Sequence, residues 1–263
     1  MPVRIFIFIG GRNIARNARA PMLLAVSLLQ PLAWLALFSQ TFRGLAADPA
    51  FRAQGYHDYL TFFTPSMLVL SMLFTALQSG MATMTDIDTG MMDKLLASPV
   101  PRAAILAGRV WADLWTMLAQ GIVIEVAAVA MGARFATGTG GALVLLAYGT
   151  AFGVIWASVP NLIALRTRST ELTMALGFFL TLPVLFVSSA FFPLRLQPSW
   201  LQTVARVNPA AYVITAGQAL LSSGYQPGQQ ARTILALAVT AVVLVPLTVA
   251  SFRSIKELSQ CLS

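Results

Sequence analysis

The sequence predicts an all-α integral membrane protein that crosses a bilayer about six times, and three observations carry that prediction. Hydrophobic residues make up 57% of the 263 and charged residues only 10%, with a mean hydropathy of +0.76. A soluble domain of this size needs far more charge to cover its surface. Apolar runs of about 20 residues recur along the chain, the length a helix needs to cross the hydrocarbon layer; barrel strands would be about 10 residues with alternating polarity. The basic residues sit mostly between those runs, where Lys and Arg orient a membrane protein.

The elements follow in order. Over 1–20, Val3, Ile7, Ile14 and Ala18 oppose Arg12, Arg16 and Arg19, which predicts a helix lying in the cytoplasmic interface, weakened by the Gly10-Gly11 pair. The basic start and the full-length run after it read as an uncleaved first span and not as a signal peptide. One membrane domain covers 21–256, with spans at about 22–42, 59–83, 103–131, 142–165, 172–190 and 233–252, and a short cytoplasmic tail over 257–263. Pro31 falls near the middle of the first span as an expected kink. A Gly/Thr turn over 137–141 leads into the fourth span, and Arg166-Thr167-Arg168-Ser169 turns into the fifth.

Orientation comes from the basic residues. Arg4, Arg12, Arg16, Arg19, Lys94, Arg102, Arg109, Arg166, Arg168, Arg253 and Lys256 fall on one side, eleven of the 17. Arg43, Arg52, Arg134, Arg195, Arg206 and Arg232 fall on the other. The richer side is cytoplasmic, so an even number of spans puts both termini inside the cytoplasmic membrane.

Several function classes drop out. The +8 net charge forms no basic stripe with interleaved aromatics, which argues against nucleic acid. Cys261 and His57 are the only cysteine and histidine, so neither an intrachain disulfide nor a Cys/His metal cluster is available. A P-loop needs a Gly-Lys pair, and the two lysines follow Asp93 and Ile255; any use of ATP requires another chain. There is no Gly-x-Ser-x-Gly elbow, so a membrane-embedded enzyme lacks its constellation. No internal repeat is visible, which leans against a complete secondary carrier.

Three segments remain as candidates. In the stretch from Thr85 to Arg102, Thr89 is positioned to cap a short helix that Pro99 stops, with Asp93 in its early turns. Met91, Met92, Leu95 and Leu96 then form an apolar strip outside the hydrocarbon, either to dock a partner or to pack on their own domain. Asp86, Asp88 and Asp93 alternatively suggest a divalent cation, but such sites need more oxygen ligands than this segment holds. In the third span Arg109 and Asp113, four apart, make a structural pair, while Glu125 either lines a substrate path or bonds a neighbouring helix. The last candidate is the segment from Phe191 to Ser223, broken by Pro193, Pro198 and Pro209. It carries a helix start at Ser199-Trp200-Leu201, and Trp200 and Tyr212 suit a headgroup region; it lies on or dips into the outer interface, or is an ordinary loop.

Two of these segments together resemble the type-2 ABC transporter permeases, most closely those of the daunorubicin-resistance type. The first runs Gly90-Met91-Met92-Asp93-Lys94-Leu95-Leu96-Ala97-Ser98-Pro99, then Pro101-Arg102 and Gly108-Arg109. The second holds Phe191-Phe192-Pro193-Leu194, Pro198-Ser199-Trp200-Leu201, Asn208-Pro209 and Tyr212. Their order, the span count and the basic start extend the likeness over nearly the whole chain. The resemblance implies an ABC exporter of two permeases and two ATPase subunits, with ATP and Mg bound by the ATPase and no cofactor in this chain. It makes 86–102 the coupling helix and the segment after the fifth span a set of short re-entrant helices at the outer face. The sequence departs at Gln218, where many relatives carry arginine, and at Asp86 and Asp88, where glutamates are common. The expected function is export of an amphipathic substrate, drug, lipid or polyketide-like; the alternative is an ion-coupled carrier using Glu125.

Overall fold

The computed structural model describes residues 21–53, 55–91, 94 and 102–260, with the side chains at 21–27, 50, 102–107 and 252–260 outside that description. The expected interfacial helix over 1–20 and Cys261 thus lie outside the described residues. Among the described residues every regular element is helical. In chain order these are α1 (Pro21–Thr41), a 3-10 turn (Arg43–Ala47), α2 (Pro49–Arg52), α3 (Tyr59–Asp88), α4 (Arg102–Ala130), α5 (Gly138–Trp156) and α6 (Ser158–Thr167). After them come α7 (Thr170–Phe186), a second 3-10 turn (Leu194–Leu196), α8 (Ser199–Ala205), α9 (Pro209–Ser222) and α10 (Pro227–Gln260).

Four stretches are long and apolar enough to cross a membrane: Tyr59–Asp88, Gly108–Ala130, Gly138–Thr167 and Pro227–Ser251. They coincide with the second, third, fourth and sixth expected spans. The 21-residue α1 and the 17-residue α7 stand at the first and fifth. In α1 the helix continues through Pro31.

Helix α3 is the axis of the bundle. Its apolar window is 89% buried, against 39% for α4 and 17% for α10. It starts where Asp58 accepts hydrogen bonds from the Leu60 and Thr61 amides, which occupies two of the donors a helix start leaves free. It runs five residues past the expected end at Thr83, because Thr85 to Asp88 continue the hydrogen-bonded ladder although they no longer read as membrane-soluble.

The fourth expected span is two helices. Pro160 has no amide proton to give to Trp156, and α5 ends there while α6 begins at Ser158. The Asn161 side chain donates to the Ala157 carbonyl at 2.7 Å, beside the Asn161 amide that donates to the same oxygen. The break seats α6 hard against α3: a Cβ added at Gly80 would lie 2.6 Å from Pro160 Cβ and 2.9 Å from its backbone carbon. Only glycine permits that approach.

At the end of the chain α9 and α10 form an antiparallel hairpin, with Thr233 Oγ1 donating to the Tyr212 carbonyl. Asn208 caps α9 by accepting from the Ala210 amide, and Pro209 takes the first helical position, where its missing donor costs nothing.

Candidate functional site

A polar seam runs along one face of α3, built from Ser71, Thr75, Ser79 and Thr83 at intervals of four. Each meets a side chain from another helix. Ser71 and Thr75 both donate to Gln120 Oε1 on α4, and Ser79 donates to Asp113 on α4. Asn161 on α6 donates to Ser79 Oγ at 3.0 Å and accepts from Thr83. Asn161, Ser79 and Asp113 therefore form one relay of bonds across three helices, with Asn161 and Ser79 buried, Asp113 half-buried and each polarising the next. The seam ends in an ion pair, Arg109 to Asp86 at 2.8 Å, with both side chains about six-sevenths buried at 13% and 14% exposure.

That ion pair corrects the expected arrangement in part. Arg109 does lie within electrostatic range of Asp113 one turn away. Its bridging partner, however, is Asp86 on α3, so the guanidinium ties two helices together where a pair within α4 was expected. The sequence reading also missed Gln120 and Asn161. The signal for them was the four-residue spacing of hydroxyls inside an apolar run, which demands partners but does not name them.

Beyond Asp86 the chain enters the expected coupling segment. Asp88 is exposed and ends α3. Thr89 is the C-cap of α3: its hydroxyl bonds back to the Thr85 carbonyl, whereas the sequence placed it as the start of a new helix. Gly90 then adopts φ +65°, a left-handed turn that a glycine takes without strain. Met91 is half-buried, and Lys94 is exposed with its amide bonded to the Gly90 carbonyl. Met92, Asp93, Leu95, Leu96 and Pro99 lie outside the described residues, and of Arg102 only the backbone, at the start of α4, is described. The same end of the bundle is closed by Arg166, whose Nε donates to Ser251 on α10.

Glu125 sits higher on α4, 7% exposed, and its Oε1 has no hydrogen-bond partner among the described residues. It belongs neither to the seam nor to the aromatic cluster at the far end.

The far end is built differently. Phe38 of α1 stacks on Phe63 of α3 at 5.4 Å, Phe42 just past α1 lies tilted against Tyr59 at 5.2 Å, and Phe191 and Phe192 close over them. Pro193 is buried, Pro198 precedes α8, and Trp200 is 64% exposed on α8. Asn208 donates to the Val184 and Val187 carbonyls, the last turn of α7, and Tyr212 donates to Arg206. Two cavities open here: one of about 700 Å3 beside His57, Asp58 and Arg134, and one of about 380 Å3 beside Arg195 and Gln218. Tyr56 and Ser222 line both.

Residues 5–221 match the family described as ABC-2 type transporter. The chain belongs to that family. It is 25% identical over 238 residues to the daunorubicin resistance ABC transporter permease protein DrrB1 of Streptomyces coeruleorubidus, covering 89% of this chain and 81% of that protein. It is 32% identical to a putative transport permease, ycf38, of Cyanophora paradoxa, over 74% of this chain and 67% of that one. A probable doxorubicin resistance permease, DrrC, of Mycobacterium tuberculosis is 26% identical over 51% of this chain and 49% of its own length. The protein is thus a permease, the membrane subunit of an ABC exporter, and its relatives are transport subunits.

Proposed function

We propose that this permease carries an amphipathic, drug-like or lipid-like substrate outward across the cytoplasmic membrane, driven by a separate ATPase that binds ATP and Mg. Two permeases, identical or closely related, complete the exporter. The Arg109 end of the bundle faces the cytoplasm, both termini lie there, and α8 with α9 forms the outer re-entrant segment. The observation that carries the reading is the succession of polar ties along α3. Asp86 and Arg109 fasten α3 to α4 where α3 runs into the segment that docks the ATPase, Ser79 and Asp113 tie the same two helices further along, and Ser71 and Thr75 tie them again at Gln120 in mid-bundle. A push on 86–102 therefore moves α3, α4 and α6 together, and ATP-bound and ATP-free ATPases favour different arrangements of them.

The decisive test is Leu95→Asp. The apolar strip of Met91, Met92, Leu95 and Leu96 supplies the desolvated anchors of the ATPase contact, with Asp88, Asp93 and Lys94 at its rim. A carboxylate placed there, unpaired, costs several kcal/mol, on the order of 2–7. Co-purification of the ATPase and substrate efflux should both be lost, with membrane insertion intact; retention of both would remove 86–102 as the coupling element. Orientation has its own test in Cys261, which should resist a membrane-impermeant maleimide in intact cells and react once they are permeabilised.

A second reading rests on Glu125, whose buried oxygen has no partner among the described residues. In it the chain is an ion-coupled carrier and Glu125 the ion site. Transport by the permease alone, without ATP and abolished by Glu125→Gln, would select that reading over the first.

A further inference from the structure

The 380 Å3 cavity at the aromatic end is lined largely by neutral amides and hydroxyls, and its size falls in the range of about 300–1,000 Å3 that ligand sites occupy. Its inner wall is Gln218, 1% exposed, on α9. The carboxamide nitrogen of Gln218 donates to the carbonyls of Phe62 and Ser189, and its Oε1 is left without a partner among the described residues. Beside it the hydroxyls of Ser189 and Thr215 bond one another at 3.2 Å. Gln226 and Gln229 stand at the rim where α9 turns into α10. Tyr56 forms a wall, its ring set edge-on against Phe62 at 4.7 Å.

The charge balance narrows the ligand. Among the described residues Arg195 is the one charged side chain in the lining, and it is exposed at the mouth. Among them a cationic group would find no carboxylate, and an isolated anion would find a single exposed guanidinium. What the cavity holds in quantity is neutral amides and hydroxyls, groups that both donate and accept. Burial pushes the Tyr56 hydroxyl up to about 12, so it too remains a neutral donor and acceptor. Hydroxyl-rich molecules have the same duality at every oxygen, and so match a lining of amides and hydroxyls.

We propose that this cavity binds a polyhydroxylated group, presented either by a lipid headgroup or by a soluble polyol. The site works without the ATPase, so its test is separate from the test of coupling. The full-length permease is placed in nanodiscs of phosphatidylcholine, whose headgroup carries no hydroxyl, and photolabelled with a diazirine-bearing octyl glucoside. Matched octyl sulfate and octyl trimethylammonium probes carry the same diazirine. The expected result is labelling within 189–195 and 215–229, at least fivefold stronger for the glucoside than for either charged probe. Competition by free inositol identifies a soluble polyol as a sufficient ligand; competition only by phosphatidylglycerol added to the disc identifies the lipid headgroup. Gln229→Ala and Thr215→Val should each lower labelling at least fivefold. Neither side chain ties the inner wall to the Phe62 carbonyl, so both variants keep the fold where Gln218→Leu would strip two of its bonds. Equal labelling by a charged probe, or wild-type labelling in both variants, overturns the proposal.

Discussion

The two ends of this bundle are held by opposite means. At the Arg109 end, bonds are directional and pass from helix to helix: Asn161 to Ser79, Ser79 to Asp113, Arg109 to Asp86. At the other end, rings pack on rings, as Phe38 on Phe63, Tyr59 on Phe63 and Phe51 on Phe62, all at 5.3–5.4 Å. Hydrogen bonds and ion pairs tolerate little displacement before they break, whereas offset rings slide over one another at small cost. The difference suits an exporter. On the proposed reading, the Arg109 end, set against the ATPase, would transmit motion as a rigid unit, and the aromatic end would yield to it.

The largest test of that contrast is Arg109→Ala. Removing one partner of a buried ion pair strands the other, at about 3–5 kcal/mol. The double variant Arg109→Ala with Asp86→Ala should lose less than Arg109→Ala alone when the unfolding midpoint is followed in detergent. The same holds for Asp113→Ala against Arg109→Ala with Asp113→Ala. Strict additivity would mean that the Arg109 end is not a coupled unit. Next comes Gly80→Ala, whose new methyl would meet Pro160 Cβ at 2.6 Å and its backbone carbon at 2.9 Å. It should cost about 1–3 kcal/mol, by overpacking, and should slow transport as well. At the aromatic end Phe63→Leu should forgo about 0.5–1.5 kcal/mol of ring–ring contact, and should add to other changes there without coupling to them. The smallest effect belongs to Asp88→Asn: the side chain is exposed at the end of α3, so both midpoint and ATPase co-purification should match wild type.

What was legible in the sequence follows from what hydropathy measures. Apolar length marks which residues dissolve in lipid, and it placed the start of α3 at Tyr59 and the middle of each of the four stretches long enough to cross a membrane. It does not mark where a helix stops once it leaves the lipid. Hence α3 runs on to Asp88 and α10 to Gln260, past the expected ends at Thr83 and 252. Local chemistry was legible where it acts locally: Ser199 does begin a helix. Thr89 misled because a threonine hydroxyl serves a helix end as readily as a helix start, and here the carbonyl of Thr85 was nearer. Cross-helix partners were the least legible. Asp86 and Arg109 are 23 residues apart and Ser79 and Asn161 are 82 apart, and no periodicity along one chain sets the register between helices. Pro160 was visible, but that it would split the fourth span and lodge against Gly80 depended on α3 presenting a glycine at that height.

The residue types in the α3 seam bear on how the protein is made. Ribosomes add about 5–20 residues per second, so α3 waits roughly 4–16 s after Ser79 is made before Asn161 exists, and several seconds for Gln120. During that interval its polar side chains face lipid or the insertion machinery alone. Serine and threonine endure this, since a hydroxyl can turn back on its own helix, as Thr75 does to the Ser71 carbonyl and Thr83 to the Ser79 carbonyl. Asparagine, glutamine and aspartate satisfy themselves less completely within a helix, and Asp113, Gln120 and Asn161 arrive on the later helices; Asp86, near the end of α3, is the exception. The early strand of the seam is written in residues that can wait, and the late strand in residues that find their partners already there.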